Sequence, residues 1–463
     1  MIKLLNNRNT KAGIWYIGGN LFDKAFIFLT IPIFTRLLDP YDYGIVNTFL
    51  SWVAITALVI GLSLSSSIRN AYVDHKKDMD NYMASIMYLS ILSFVLISSL
   101  SLLIIKVFFN KINIVLVLLC LFQGYMSFIV TSISQQYMME FEYKKNTFLM
   151  IIPHILIALF SIIGISTLTY NKYFGRIIPN VAVISFIGIS YLIFIFKKAR
   201  IISTRYWKYA LLLSLPLIVH GLSMNILSHS DRIMITAFRS AAETGVYSLI
   251  YNISMVAVVF SASLDSVWIP WFTQKMQNNN KLAINKAINY YIELMLIIIT
   301  GLLFISPEII KIFAPKEYWS GISIIPPIIL SSFIMYLYTI EVHIEYYYKA
   351  TKQIAINTCI AAVVNVILNF IFIPKYGALA AAFTTLAAYT VSFTMHYINA
   401  RKLDRELISI KKYLFPIAFA ILASLIVYIF LYNIIIRWSI AIIIFITYSI
   451  YCYKTKRICN LSF

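Results

Sequence analysis

The sequence predicts an all-α integral membrane protein with about fourteen transmembrane helices. The chain is 61% hydrophobic, only 12% of its residues are charged, and its mean hydropathy is +0.83. A soluble domain carries about 25% charged residues and cannot bury this much apolar surface. Lipid must therefore be the main solvent of these 463 residues.

The individual spans follow from the length of the apolar runs. A helix that crosses the hydrocarbon layer needs roughly 20 apolar residues. Short connectors such as Asp39-Pro40 and Pro374-Lys375 make neighbouring spans antiparallel hairpins. The first run starts at Gly13 without a small-residue cleavage site, so it is predicted to be a span rather than a signal peptide. The predicted spans are 13–38, 43–68, 82–109, 113–136, 147–169, 177–196, 210–237, 245–270, 285–306, 322–347, 354–374, 377–398, 413–433 and 436–453.

The positive charges predict the orientation. With the N-terminus inside, 26 of the 38 Lys and Arg residues lie on the cytoplasmic side and 10 on the other side. Short cytoplasmic loops retain positive charge during insertion, so both termini are predicted to be cytoplasmic. The formal net charge is +20, but the charges sit in short connectors. That placement favours contact with anionic lipid and argues against nucleic acid as a partner.

The domain organisation is predicted from two basic connectors, 197–208 and 401–412, each of which follows a sixth helix. They divide the chain into an N-terminal six-helix lobe at 1–200, a C-terminal six-helix lobe at 201–405, and an appended helix pair with its tail at 406–463. Segment 35–46 also aligns without gaps with 236–247, and each contains a glycine that opens the next helix. The alignment indicates a parallel repeat around a central site, with a chance match as the alternative.

Three sets of segments carry a resemblance to a known family. Residues 19–38 followed by 41–44 look like the opening of the Wzx-type polysaccharide (O-antigen) flippases. Residues 215–216 with 230–235 and 243–248 resemble their seventh and eighth helices. Residues 365–369 with 373–382 resemble a late helix pair of the wider multidrug/oligosaccharidyl-lipid/polysaccharide (MOP) exporter superfamily. The resemblance covers most of 10–400 and leaves the last two spans outside.

The resemblance implies a flippase in a bacterial inner membrane. Such a protein moves an undecaprenyl-diphosphate-linked oligosaccharide, an O-antigen or capsule repeat unit, from the cytoplasmic to the periplasmic leaflet. Two six-helix lobes would enclose a cavity that opens alternately to each side, with transport coupled to an ion. The expected partners are this lipid-linked oligosaccharide, membrane lipid and other proteins of glycan assembly. Many members are described with twelve helices, so the last two spans are a departure.

Cationic residues within or beside the spans are the candidate cargo contacts. An ionisable group in a span should face the bundle interior or a watery cavity, and a diphosphate needs cations. Lys24 is the leading phosphate contact, unless it only neutralises Asp23 or another acid. Arg232 could bind phosphate bidentately or anchor an interface. Its neighbour Asp231 points about 100° away, so one of the two should face the cavity and the other should pair across a helix interface. Arg69 could meet an incoming diphosphate or snorkel to lipid phosphate.

Three acids, Asp265, Glu341 and Glu345, lie toward the inner ends of the eighth and tenth spans. The two glutamates share a helical face at i and i+4. Paired carboxylates without a nearby base could bind a proton or cation that drives transport, and a solvated helix end is the alternative. Scattered histidines and the four cysteines show no metal-ligand spacing, so neither a metal nor another cofactor is predicted. Interior, satisfied side chains are predicted for His154, His220, His229 and His396.

Two other functions remain open at this point. A polysaccharide polymerase or ligase would present a large outward loop with catalytic Arg and His, whereas the outer connectors here are short. The sequence also lacks nucleotide-binding glycine loops, zinc-protease motifs and nucleophile elbows, so no catalytic residue is predicted. A multidrug exporter of the same superfamily would use acids and aromatics for cationic drugs. Lys24 and Arg232 favour an anionic cargo instead.

Overall fold

The computed structural model describes residues 8–108 and 113–454, which form α-helices joined by short connectors and 3₁₀ turns. Within these residues there is no β-strand. The helices are α1 Arg8–Leu37, α2 Pro40–Ile60, α3 Ile68–Asp74, α4 Met79–Phe108, α5 Ile114–Met139, α6 Tyr143–Thr167, α7 Tyr173–Lys198, α8 Thr204–Phe238, α9 Ala241–Gln277, α10 Lys281–Phe313, α11 Ile325–Tyr347, α12 Thr351–Leu403, α13 Lys411–Ile429 and α14 Ile434–Lys454.

The predicted all-α membrane fold is confirmed. The second predicted span is α2 continued through a 3₁₀ turn, Leu64–Ser67, into α3. The eleventh and twelfth spans are the two parts of α12, which is broken at Gly377, where φ is +62° and ψ is −143°. Within the described residues, eleven helices are long and apolar enough to cross a membrane, with α12 counted once, and Ile434–Ile450 is a shorter apolar helix. The first predicted span, which is α1, is not among the eleven.

The connectors between α1 and α2 and between α8 and α9 start the next helix in the same way. Asp39 is the N-cap of α2, and its Oδ1 accepts the backbone N–H of Asp42 at 2.7 Å. Ser240 precedes α9, and its Oγ accepts the backbone N–H of Glu243 at 3.1 Å. Each cap accepts a hydrogen bond from a backbone N–H that has no partner within the helix. An acidic side chain in the first turn also interacts favourably with the positive end of the helix dipole.

The chain folds into two compact units. Of the described residues, the first unit contains 8–108, 113–248 and 355–381, and the second contains 249–354 and 382–454. These boundaries differ from those of the predicted lobes, and the division at 200 and 405 stays a prediction. The first unit has a buried apolar core from α2 to α5, α7 and the start of α8. Its fully buried members include Ile60, Leu64, Ile68, Tyr82 and Met83.

Enclosure differs strongly between spans. In the second unit, 83% of the most apolar 18-residue segment of the span Lys316–Tyr347, which ends with α11, is buried. In the first unit, only 11% of the corresponding segment is buried in the span Lys76–Val107, which includes most of α4. Polar groups on α11 are therefore shielded by protein, where an uncompensated charge is costly.

The two glycines aligned by the sequence repeat meet at a close crossing of α2 and α9 in the first unit. A Cβ on Gly44 would lie 1.7 Å from the carbonyl oxygen of Ala241 and 2.9 Å from the nitrogen of Gly245. A Cβ on Gly245 would lie 2.0 Å from the carbonyl oxygen of Pro40 and 3.1 Å from the nitrogen of Gly44. The contact is reciprocal and made by backbone, so neither position has room for a side chain.

Gly245→Ala is expected to destabilise the folded protein by about 1–3 kcal/mol, because the added Cβ must push two backbones apart. The matched control is Gly301→Ala on α10, where a Cβ would meet nothing within 4 Å. There the better helix propensity of alanine should make the change neutral or stabilising. Thermal unfolding of both variants in detergent measures the difference, and equal stability of the two would contradict the close crossing.

Candidate functional site

The charged neighbours in the middle of α1 have different environments. Asp23 is 4% exposed, and its carboxylate bonds Nδ1 of His154 on α6. Lys24 is exposed. Within residues 8–108 and 113–454, Lys24 makes no hydrogen bond or ion pair. The partner of Asp23 is therefore the histidine rather than the neighbouring lysine, and the Lys24 ammonium is left available to a ligand.

An open cavity of about 270 Å³ lies between α1 and α6, on the side of α1 that faces away from Lys24. Gly19 permits the close approach of the helices, since a Cβ there would lie 2.8 Å from the Thr147 Cγ2. The rings of Trp15 and Phe22 form flat apolar walls. The lining residues are Trp15, Gly18, Gly19, Phe22, Thr147 and Ile151.

Asp231 of α8 joins two of the segments that carried the family resemblance. It is 1% exposed, and its Oδ2 accepts the hydroxyl of Tyr247 at 2.5 Å. Its Oδ1 accepts the side-chain amide of Asn369 at 2.6 Å. Asn365 is bound in turn by Asn369 at 3.2 Å and by the hydroxyl of Ser230 at 2.8 Å. A buried carboxylate is thus satisfied by donors from α9 and α12 within the first unit.

The two arginine candidates bond differently. Arg232 is 7% exposed, and its Nη1 lies 3.4 Å from the carbonyl oxygen of Ser228 and 3.3 Å from Nδ1 of His229, on the same helix. Its neighbour Asp231 bonds across helices, to Tyr247 of α9 and Asn369 of α12. Arg69 is exposed and donates from Nε to the Oε1 of Gln135 on α5 at 2.9 Å. In the described part of the chain, Lys24 and Arg69 form no hydrogen bond or ion pair with another predicted site residue.

The acids of the second unit are held by specific partners. Glu345 accepts hydrogen bonds from Nδ1 of His396 and from the side-chain amide of Asn399, each at 2.6 Å. Glu341 accepts a hydrogen bond from the hydroxyl of Tyr413 at 2.5 Å. Both glutamates are 0% exposed, which differs from the alternative of a solvated helix end. Asp265 is half-buried, and its Oδ1 lies 3.8 Å from the Nε2 of His343.

Sequence reasoning missed the histidine partners. Glu341 and Glu345 were expected to have no base nearby, whereas His396 of α12 lies against Glu345. The partners are 51 residues apart, and Asp23 and His154 are 131 apart, so local spacing carries no signal of either pair. Over the described ranges, no group of three or more His, Cys, Asp or Glu side chains is placed to hold a metal ion.

A separate cluster joins the connectors of the second unit. The carboxylate of Asp404 lies 2.9 Å from Nζ of Lys281 and accepts the hydroxyl of Tyr348 at 2.9 Å. Burial by itself raises the pKa of Asp404, but the hydrogen bonds from Lys281 and Tyr348 hold it below its ordinary value of 3.8. This carboxylate is fully engaged and stays ionised at neutral pH, which suits a structural role.

Comparison with known proteins identifies the family. The family model described as "Polysaccharide biosynthesis protein" matches residues 10–276. The chain belongs to this family. A curated relative, the "Probable low-salt glycan biosynthesis flippase Agl15" of Haloferax volcanii, is 24% identical over 398 residues, which cover 81% of this chain and 80% of the relative.

Solved structures show the fold of this polysaccharide biosynthesis protein. The lipid II flippase MurJ, in an inward closed conformation, is 15% identical with a TM-score of 0.64, covering 96% of this chain and 99% of that one. An inward-facing multidrug resistance MATE family transporter of the MOP superfamily is 15% identical with a TM-score of 0.60, covering 82% and 96%. The predicted link to polysaccharide biosynthesis is confirmed at the level of the family, and the fold is that of MurJ and MATE transporters.

The chain is therefore a multi-pass membrane protein of the polysaccharide biosynthesis family, and the similar proteins named above are described as flippases or transporters. The family match ends within α9. It includes Lys24 and Asp231 but not Glu341 or Glu345, which lie in the part of the chain beyond it.

Proposed function

We propose that this protein moves an undecaprenyl-diphosphate-linked oligosaccharide, an O-antigen or capsule repeat unit, from the cytoplasmic to the periplasmic leaflet of a bacterial inner membrane. Transport proceeds by alternating access and is ion-coupled, and both termini are cytoplasmic. The protein performs no enzymatic step, and other proteins of glycan assembly supply its cargo and consume its product. Support comes from the polysaccharide biosynthesis family and from a curated relative named as a glycan biosynthesis flippase.

The observation that carries the proposal is the exposed Lys24 in the middle of α1. An ammonium within a span costs at least about 2.5 kcal/mol on insertion scales and needs compensation. Asp23, the nearest acid in sequence, is occupied by His154. A diphosphate supplies the missing negative charge and accepts strong hydrogen bonds from an ammonium.

The aromatic cavity between α1 and α6, on the face of α1 away from Lys24, supports a glycan as the remainder of the cargo. Trp15 and Phe22 line it. Aromatic rings present large apolar faces, which can pack on the apolar faces of sugar rings. The hydroxyl of Thr147 on the opposite wall donates to the carbonyl oxygen of Trp15 at 3.3 Å, which leaves its lone pairs as acceptors.

Deletion of the gene tests the proposal. Lipid-linked oligosaccharides of full repeat-unit length should accumulate and surface glycan should be lost, and expression of the wild-type chain should restore both. Accumulation on the periplasmic side would contradict a flippase and indicate a polymerase or ligase. Normal surface glycan together with raised sensitivity to cationic drugs would identify a multidrug exporter, which shares the fold but not the cargo.

A further inference from the structure

Glu345 and His396 form a buried acid–base pair in the second unit. Both side chains are 0% exposed, and Nδ1 of the imidazole lies 2.6 Å from Oε2 of the carboxylate. Asn399 donates to the other oxygen, Oε1, at 2.6 Å. The carboxylate is thus held on both oxygens by N–H donors from α12, which fixes the imidazole with Nδ1 as a donor and Nε2 as the proton-accepting nitrogen.

The ligand geometry favours a proton over a metal cation. Hard cations such as Ca²⁺ or Mg²⁺ take six or more oxygen ligands. Here both oxygens of Glu345 are already used by N–H groups, and an N–H directed at the carboxylate would repel a cation. The pair can still change its charge by gaining or losing a proton on the imidazole.

The second imidazole nitrogen is the position at which such a proton would be carried. Within the described residues, Nε2 of His396 is buried and has no hydrogen-bond partner. The ring of Tyr338 stacks on the imidazole, with the centroids 5.6 Å apart and the planes at 20°. An aromatic face stabilises a cation within about 6 Å, so it favours the imidazolium.

The two glutamates of α11 have no lysine or arginine as a direct partner among the described residues. A buried carboxylate without a cation is costly, whereas one paired with an imidazolium is neutral as a pair. Other titratable or charged groups near the pair or its stacked Tyr338 are Glu341 and Tyr346 on α11, Tyr389, Tyr397 and Arg401 on α12, Tyr413 on α13, Tyr251 on α9, and Asp265 with its neighbour His343.

From this geometry we infer that the Glu345–His396 pair is a proton-binding site through which a proton gradient drives cargo movement. His396 gains a proton at Nε2 from one side of the membrane and releases it to the other, while Asn399 holds the carboxylate in place. The inference rests on the proposed function and specifies its coupling ion. The proton site and the phosphate contact then lie in different compact units, on α11 with α12 and on α1.

Proteoliposomes that hold purified protein and the lipid-linked oligosaccharide extracted from the deletion strain test the coupling. The fraction of cargo in the outer leaflet is measured with a membrane-impermeant glycosidase under an imposed pH gradient and, separately, a sodium gradient. If one proton moves per cargo, one pH unit should shift the leaflet ratio about tenfold at equilibrium. His396→Asn, whose amide nitrogen replaces Nδ1, should remove this shift, as should Glu345→Gln. The control His75→Gln, in a connector of the first unit, should retain it.

A second measurement reports protonation without transport. In protein with ¹⁵N-labelled histidine, the nuclear magnetic resonance signal that is missing in His396→Asn should change between its neutral and protonated forms as the pH is varied. Two results would refute the proposed proton site. One is a leaflet ratio of the wild type that does not change with the pH gradient, and the other is a His396 signal that does not change with pH while the protein stays folded. Wild type that moves no cargo under any gradient instead refutes the proposed function, and the His396 titration then decides the proton site alone.

Discussion

Lys24→Ala is expected to abolish delivery of glycan to the cell surface while the protein still inserts at wild-type levels. The exposed ammonium has no partner among the described residues, so its loss removes a cargo contact and no ion pair. Lys24→Arg should keep part of the activity, because a guanidinium also binds phosphate but with a different geometry. The control is Lys106→Ala, which removes an exposed lysine from the end of α4. Surface glycan is measured at equal membrane levels of each variant.

A double variant separates cargo binding from charge neutralisation. If Lys24 only balanced Asp23, then Asp23→Asn with Lys24→Gln would remove both charges together and transport would stay near normal. The contact between Asp23 and His154 predicts instead that the double variant is inactive. Normal surface glycan in that variant, well expressed, would refute the phosphate contact and leave Arg232 and Arg69 as candidates.

Arg437→Ala should destabilise the folded protein by about 3 kcal/mol or more, because it leaves a carboxylate without its cation in a low-dielectric site. Arg437 is 1% exposed, its Nη2 bonds Glu308 of α10, and its Nη1 donates to the carbonyl oxygen of Leu431 at 2.5 Å. The pair attaches α14 to the rest of the second unit.

Unfolding of purified variants in detergent measures this effect. Arg437→Met combined with Glu308→Gln should cost less than Arg437→Ala alone, because the charges are removed together and volume is kept. An Arg437→Ala protein as stable as wild type would show that the pair does not hold α14.

The helices could be predicted from sequence because length and apolarity leave few other structures in lipid. The chemistry of intramembrane charge likewise identified Asp231, Glu341 and Glu345 before any contact was known. Whether a residue lies in a span depends only on the sequence around it. Neither the prediction of the helices nor that of the intramembrane charges therefore requires knowledge of how distant segments pack.

The partners of the intramembrane charges could not be predicted, since they depend on which helices pack together. His154 binds Asp23, His396 binds Glu345 and Glu308 binds Arg437. The two members of these pairs are 131, 51 and 129 residues apart. Arg437 illustrates the consequence. It stands at the start of the predicted span 436–453 without an evident partner, and the structure buries it on α14 against Glu308. Hydropathy gives the depth of a charge but not the neighbour that compensates it.

The crossing of α2 and α9 makes Gly44 and Gly245 a single constraint on the sequence. Each backbone occupies the space that a side chain on the other would need. Once one Cβ has forced the helices apart, the second should add little further cost, so substitutions at the two positions are epistatic rather than additive. The sequences of the two connectors therefore cannot change independently at this crossing. Whether Gly44 tolerates a larger residue depends on which residue occupies position 245, and the reverse is also true.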